Sequence, residues 1–249
     1  VKSYTKDPTS SVINSDDFFD VQKDLEEGVS LITFFGHASS GGGFSQNIDS
    51  PNNWNNEGKY PIVLGLGCYT GDVHQPDTNS YAEQLLRPQS EGAIAFISTV
   101  KLGFVTYIGN YTNFLYKDFS RVDYGKTIGQ QMKSTVDTLY QIIGGSNWDV
   151  IQENNFNGMS LQGDPALKLN THLAPEIVLD ESRVWSVPSQ IDLSIDTFDL
   201  YVVVTNIGVA FNDSFNLEVT RTFPNGNDST YSKTVGGLLN RDTIIFRLP

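Results

Sequence analysis

The sequence predicts an α/β domain with a mostly parallel sheet and flanking helices, followed by a small all-β sandwich. In the first part of the chain, short segments that are apolar at nearly every position alternate with helical patterns. Continuously apolar strands of this kind are typical of parallel sheets covered on both faces. After Asn170 the helical periodicity ends, and apolar and polar residues alternate as in half-buried strands. The predicted domains are residues 1–172 and 173–249.

Three strands are predicted in the first domain, at Val29–Phe35, Pro61–Gly67 and Gly92–Ser98. Four helices are predicted around them. The first is capped by Ser15 and ends at Gly28, with Phe18, Val21 and Leu25 on one face. The second opens with a capping box, Ser80-Tyr81-Ala82-Glu83, and runs through Leu86. The third covers about Tyr107–Phe119, and the fourth carries an apolar stripe of Ile128, Met132, Val136, Leu139 and Ile143.

The second domain is predicted as a sandwich of about 75 residues, at the small end for an immunoglobulin-like domain. Its strand candidates are Leu200–Thr205, the alternating segment Phe215–Thr220, and Thr243–Leu248. Turns are predicted at Asn206-Ile207-Gly208 and Pro224-Asn225-Gly226-Asn227. Because the last strand runs to Pro249, we expect that this domain is truncated.

Composition narrows the range of partners. The net charge of −13 argues against nucleic acid and anionic membranes. No apolar run reaches the length of a membrane span, and no signal peptide is visible at Val1. One cysteine excludes an internal disulfide, and with only three histidines a zinc site of Cys and His is not expected. We expect no cofactor. A structural calcium ion at Asp72 remains an alternative to an Asx-type turn, which is the favoured interpretation.

Two reactive side chains follow two of the predicted strands. Cys68, the only cysteine, comes directly after the strand Pro61–Gly67, and His37 follows Val29–Phe35 across a single glycine. Because the carboxyl ends of neighbouring parallel strands meet at one edge, we expect the two side chains to lie close together. Either residue alone is more often structural. Together they form a thiol nucleophile with its base, which predicts a Cys–His hydrolase of peptide bonds.

Other residues near this edge carry weaker signals. Backbone N–H groups at Cys68 and just after His37 could bind an oxyanion. Trp54, in the long polar loop 39–59, either lines a substrate cleft or anchors the loop, and the sequence does not decide between these roles. His74 is interpreted as solvated and Glu83 as a capping residue.

These residues resemble a known family. Phe35-Gly36-His37-Ala38-Ser39 resembles the G-H-G-S motif of gingipain-type cysteine peptidases, which share the caspase-like fold. Gly67-Cys68-Tyr69-Thr70-Gly71-Asp72 resembles their cysteine motif, and the separation of 68 − 37 = 31 residues is similar. Further matches are Ser80–Leu86, Glu91–Ala95, Ser98-Thr99, and Leu161–Leu167, which resembles the G-D-P-[SA]-L signature that closes the domain. The resemblance covers roughly Ser15 to Leu169.

The resemblance implies that Cys68 is the nucleophile, His37 the general base, and the N–H groups of Cys68 and Ala38 the oxyanion hole. It also implies a peptide or protein substrate and an immunoglobulin-like module after the peptidase domain. The composition, with many Asn, Ser, Thr and Gly residues and few Lys, predicts a secreted or bacterial cell-surface location. Ala38 replaces the second glycine of the family motif. The family's upstream region, with the acid that orients the histidine and part of the specificity pocket, is not in this chain. We therefore expect a fragment of a longer precursor with little or no peptidase activity by itself.

Two alternatives stay open. The chain could be a catalytically inactive surface scaffold that binds a partner, or the β-sandwich could be the working part and the α/β domain its support. Cleavage specificity and oligomeric state do not follow from the sequence.

Overall fold

The computed structural model describes residues 3–4, 15–40, 43–44, 50–74, 80–88, 90–192 and 194–249. The chain divides into two compact units, Val1–Leu169 and Asn170–Pro249, so the division falls just before the predicted one at 172. The side chains of Ser15 and Phe18, predicted as a cap and as part of an apolar face, lie outside the described residues.

The first unit is a mixed α/β unit. Its helices are α1 (Ser15–Glu27), α2 (Tyr81–Leu86), α3 (Val105–Lys117), α4 (Ile128–Ile143) and α5 (Val150–Phe156). Its strands are β1 (Leu31–Phe35), β2 (Ala38–Ser39), β3 (Gly43–Phe44), β4 (Ile62–Leu66), β5 (Ala95–Thr99) and β6 (Met159–Gly163). Short 3₁₀ turns occur at Pro51–Asn53 and Gly145–Asn147, and a π-helix at Asp118–Val122 extends α3.

The main sheet of this unit has the order β1-β4-β5-β6. β1, β4 and β5 are parallel, which confirms the predicted parallel arrangement of the three apolar strands. β6 pairs antiparallel with β5 and was not predicted. Its sequence, Met159-Ser160-Leu161-Gln162-Gly163, alternates in polarity as an edge strand does, but it is short and lies inside the segment interpreted as the end of the domain.

Side chains from the sheet enter two apolar layers. Ile62, Leu64 and Leu66 of β4 pack with α3 and α4, whereas Val63 packs in the opposite layer with Phe34 and Phe96. This two-sided burial explains why β4 is apolar at every position, since all five of its residues are buried.

The capping box and the apolar stripe predicted from the sequence are found in α2 and α4. The Ser80 side chain accepts a hydrogen bond from the Glu83 N–H, and the Glu83 carboxylate accepts one from the Ser80 N–H, so the predicted capping box is confirmed. In α4, Ile128 and Leu139 of the predicted stripe are fully buried. α5 was missed because it is short and mostly polar, although Asp149 and Gln152 form a further capping box at its start.

The second unit is all-β among its described residues. Its strands are β7 (Ile177–Val187), β8 (Phe198–Asn206), β9 (Phe215–Thr222), β10 (Asp228–Val235) and β11 (Arg241–Leu248). They form two antiparallel sheets, with the orders β11-β8-β7 and β10-β9. Residues from both sheets share one core, including Val204 and Phe246 from the first and Leu217 and Val235 from the second.

Three of these strands occur where the sequence predicted them, and two were missed. β10 is largely polar, and β7 is interrupted by a charged segment at an irregularity between Leu179 and Val184. The immunoglobulin-like assignment of this unit stays a prediction. Across the described part of the chain, no helix has both the length and the hydrophobicity of a membrane span.

Candidate active site

His37 and Cys68 follow the same edge of the parallel sheet. β1 and β4 pair with Leu31 opposite Ile62 and Phe35 opposite Leu66. Paired residues of these strands are 31 positions apart in the sequence, and so are His37 and Cys68. Each of the two therefore lies two positions beyond the last paired residue of its strand. The ladder continues one step further, because the Gly36 N–H donates to the Leu66 carbonyl at 3.1 Å.

The turns that carry these residues touch at Gly67. A Cβ atom built on Gly67 would lie 2.4 Å from the Ala38 Cβ and 3.0 Å from the Gly36 carbonyl oxygen. No side chain fits at such distances, so the glycine before the cysteine is what allows this close approach. The segment after β1 and the segment after β4 are therefore in direct contact at Gly67.

We call residues 67–71 the cysteine turn. Cys68 itself is half-buried, and its Sγ lies 3.9 Å from the Gly103 carbonyl oxygen. The next residue, Tyr69, has a left-handed backbone with φ +57°. A non-glycine residue in this region costs about 1–2 kcal/mol. Such a conformation persists only where the surroundings hold it in place.

Hydrogen bonds from β5, β6 and the segment after β5 hold the cysteine turn. The Thr99 hydroxyl donates to the Gly67 carbonyl. The N–H of Gly71 donates to the Thr99 carbonyl at 3.0 Å, and the N–H of Tyr69 donates to the Lys101 carbonyl at 3.0 Å. The Gln162 Nε2 donates to the Gly71 carbonyl at 3.2 Å. The turn is thereby fixed on both sides of Cys68.

The predicted oxyanion donors differ in their surroundings. Within the described residues, the N–H of Cys68 donates to no acceptor, which leaves it available to a ligand. Ala38 lies in β2 and pairs with Phe44 of β3.

His37 is exposed to solvent. Its imidazole forms no hydrogen bond with any residue that the structure describes. The described residues therefore supply no carboxylate that orients the ring.

The other predicted site residues lie in structural positions. Trp54 is only 1% exposed and packs in the core layer with Phe34 and Leu25. This burial contradicts the first of its two predicted roles, that of lining a substrate cleft, because a ring that solvent does not reach cannot contact a substrate in an open cleft. The alternative, that Trp54 anchors its loop, fits the burial.

Asp72 and His74 form a local turn. The Asp72 Oδ1 accepts the N–H of His74 at 3.1 Å, which is the geometry of an Asx turn. His74 is exposed. Over the described ranges, no group of three or more His, Cys, Asp or Glu side chains has an arrangement that suits a metal ion.

Two residues that hold the cysteine turn, Thr99 and Gln162, were not predicted to have a role. Both lie within segments that match the family motifs, but their contacts join positions 32 and 91 residues apart. Two exposed apolar side chains on either side of Gly103 were also not predicted, Leu102 (52% exposed) and Phe104 (45% exposed). Apolar residues in a loop directly after a strand are the sequence signal that could have indicated them.

Solved structures with a similar fold include two of gingipain. The chain is 17% identical to the Arg-specific cysteine proteinase gingipain R (RgpB), with a TM-score of 0.54, and the match covers 96% of this chain and 56% of that one. It is 15% identical to the complex of the pro- and mature domains of Porphyromonas gingivalis RgpB, with a TM-score of 0.54 and coverage of 92% and 56%. A further structure, of a protease, is 14% identical, with a TM-score of 0.51 and coverage of 90% and 53%.

This chain spans a little over half the length of those structures. No curated protein sequence gives a significant match to it. The model of Peptidase family C25 matches residues 1–170, which is more than half of the chain. The chain therefore belongs to Peptidase family C25, the gingipain-type cysteine peptidases.

Proposed function

We propose that this protein is a secreted cysteine endopeptidase in which Cys68 is the nucleophile and His37 the general base. The observation that carries the proposal is the shared position of the two residues, each two steps beyond the same paired ends of adjacent parallel strands. In open α/β sheets this edge is where ligands bind.

The chemistry follows from the two side chains. His37 takes the proton of the Cys68 thiol, and the thiolate sulfur attacks the carbonyl carbon of the scissile peptide bond. The oxyanion that forms accepts hydrogen bonds from the N–H groups of Cys68 and Ala38. The imidazolium then gives its proton to the leaving amine, and a thioester with Cys68 remains. Water, deprotonated by His37, attacks the thioester and releases the carboxylic acid and the free thiol.

Apolar side chains beside Cys68 favour a peptide as the substrate. Leu102 and Phe104 flank Gly103, whose carbonyl oxygen approaches the Cys68 sulfur, and Tyr69 is exposed next to it in the chain. Exposed apolar groups around a reactive thiol offer contacts to the side chains of a bound polypeptide.

The remaining parts of the proposal rest on composition and topology. A single cysteine, abundant polar uncharged residues and a net charge of −13 are compatible with a secreted or cell-surface protein. Two antiparallel sheets around one core support an immunoglobulin-like module in the second unit.

The test is hydrolysis of a mixed peptide library under reducing conditions, before and after treatment with iodoacetamide. Because the chain has one cysteine, mass spectrometry can assign the adduct to Cys68 without ambiguity. We expect cleavage to stop when one carboxamidomethyl group per chain has formed. Cleavage that persists after complete labelling contradicts the proposal. If the folded chain leaves the library intact while Cys68 is fully labelled, the measurement is repeated with the full-length protein. The inactive scaffold is favoured only if that protein also leaves the library intact.

A further inference from the structure

Thr99 occupies an unusual position relative to Cys68. It is the last residue of β5 and is only 3% exposed. Its hydroxyl donates to the carbonyl of Gly67, and its own carbonyl accepts the N–H of Gly71 at 3.0 Å. One buried residue therefore binds the cysteine turn on both sides of the nucleophile.

The first of these contacts determines the direction of a neighbouring N–H. The carbonyl of Gly67 and the N–H of Cys68 belong to the same peptide unit, which is planar and trans, so the two groups point in opposite directions. The carbonyl is drawn toward β5 by the Thr99 hydroxyl. β4 lies between β1 and β5 in the sheet, so the N–H of Cys68 points away from β5, toward the side where the residues after β1 lie.

The Cys68 amide also lacks an acceptor in the part of the chain that the structure describes. Because the Thr99 hydroxyl holds the Gly67 carbonyl in place, it also fixes the free N–H of Cys68, which belongs to the same peptide unit. An oxyanion hole depends on such donors being oriented before the reaction begins.

We propose that Thr99 is a positioning residue that orients the Gly67–Cys68 peptide as the oxyanion donor. This inference rests on the proposed function, since it assigns a role in the reaction of Cys68. Thr99 itself contacts no reacting atom and acts through the peptide that it holds.

The decisive variants are Thr99→Val, which removes the hydroxyl with little change in volume, and Thr99→Ser, which keeps it. We expect Thr99→Val to lower kcat by about tenfold to a hundredfold, less than the hundredfold to thousandfold typical when an oxyanion donor is deleted outright. We expect KM to stay within about twofold, because the donor acts mainly in the transition state. Thr99→Ser should restore most of the lost turnover.

A matched control is Thr112→Val. Thr112 is also buried, and its hydroxyl donates to a backbone carbonyl, that of Ile108, at 2.6 Å inside α3. Thr112→Val makes the same chemical change, the loss of a buried hydroxyl, inside α3. A loss of kcat in this control equal to that of Thr99→Val would assign the effect to general destabilisation and overturn the proposal.

Two further measurements distinguish an effect on the oxyanion donor from an effect on the reactivity of the thiol. Binding of a peptide aldehyde, whose adduct with Cys68 carries an oxyanion, should weaken in Thr99→Val in step with kcat. The rate of alkylation by iodoacetamide, which forms no oxyanion, should change by no more than about twofold. Equal losses in hydrolysis and alkylation would show that Thr99 acts on the thiol, and would overturn the assignment.

A direct structural readout does not depend on turnover. The carbonyl ¹³C resonance of Gly67 and the amide resonance of Cys68 should shift in Thr99→Val and return toward the wild-type values in Thr99→Ser. If they do not move, the hydroxyl does not hold this peptide and the inference is wrong. If they move as expected but the full-length wild-type protein cleaves no peptide, the proposed function fails while the contact itself stands.

Discussion

The cysteine turn and the histidine turn, residues 36–40, extend from adjacent strands, but the chain holds their functional side chains differently. On the cysteine turn, hydrogen bonds from Thr99 and Gln162 fix the backbone on both sides of a half-buried thiol. On the histidine turn, the backbone is paired through Ala38 and Ser39 to β3, while the His37 ring is exposed and has no partner among the described residues. On the proposed function, the first unit therefore fixes the backbone around the nucleophile, whereas it brings the base to the same edge of the sheet without orienting its ring.

This difference matters because a base and a nucleophile depend on orientation in different ways. A sulfur atom can attack once its position is set, whereas an imidazole needs a particular tautomer and ring direction, which a hydrogen bond on its second nitrogen normally supplies. We therefore expect variants of the cysteine turn to lower turnover through geometry, and variants of His37 to respond to added base.

The largest effect is expected for Cys68→Ala. On the proposed function, removal of the nucleophile lowers kcat by more than about a thousandfold. The fold should survive, because the one hydrogen bond that the side chain forms with the described residues is long, to the Gly103 carbonyl. Peptide hydrolysis and circular dichroism of the same preparation check both statements, and a variant that still cleaves the library would remove Cys68 from the mechanism.

His37→Ala should cost on the order of a thousandfold in kcat as well. Because His37 is exposed, a small base can reach its place from solvent. Added imidazole should therefore recover part of the lost rate in His37→Ala and none in Cys68→Ala. If imidazole has the same effect on both variants, His37 does not act as the base.

A smaller effect is expected for Gln162→Met, which keeps the volume and removes the donor to the Gly71 carbonyl. We expect kcat to fall about tenfold, less than the roughly hundredfold that a 1 Å displacement of catalytic groups can cause. Other bonds to the turn remain in this variant.

The control for this variant is Gln130→Met at the start of α4. Gln130 belongs to the capping box of α4, whose start lies beside Pro165, beyond the end of β6. Turnover should be unchanged there, and an equal loss in both variants would argue against a specific role for Gln162.

Local signals explain which parts of the fold and site could be predicted. Apolar runs located β1, β4 and β5, and the residues next to them placed Cys68 and His37 at one edge. The capping box of α2 was readable because its two partners are three residues apart. The contacts of Thr99 and Gln162 were not readable, because they join residues that become neighbours only when β4, β5 and β6 pair. Trp54 was ambiguous because a loop sequence does not reveal which of its side chains turns inward.

The smallest effect concerns stability, away from both turns. Asp118, in the π-helix after α3, is 4% exposed and accepts a hydrogen bond from the Thr135 hydroxyl at 2.6 Å. Burial raises the pKa of the Asp118 carboxyl above its usual 3.8, and Asp123 adds to this effect. The folded state therefore holds this proton more tightly than the unfolded state, and stability is lost as the pH rises from about 4 through the raised pKa.

Asp118→Asn removes this titration and can still accept the bond from Thr135. We expect the unfolding free energy of Asp118→Asn minus that of the wild type to increase as the pH rises from about 4 to 7. The slope should be at most about 1.4 kcal/mol per pH unit. Denaturant unfolding at several pH values measures it. If the unfolding free energies of the two proteins depend on pH in the same way, Asp118 does not titrate as expected. Peptide hydrolysis should be the same in both proteins.

The most direct test of the central claim, that Cys68 and His37 act as one unit, is a double-mutant cycle on kcat/KM. Wild type, Cys68→Ala, His37→Ala and the double variant are compared on one peptide substrate. Groups that act as a unit are strongly non-additive, so we predict that the double variant is no less active than the weaker of the two single variants. Losses that multiply in the double variant would contradict the account, because they would show that the two residues act independently.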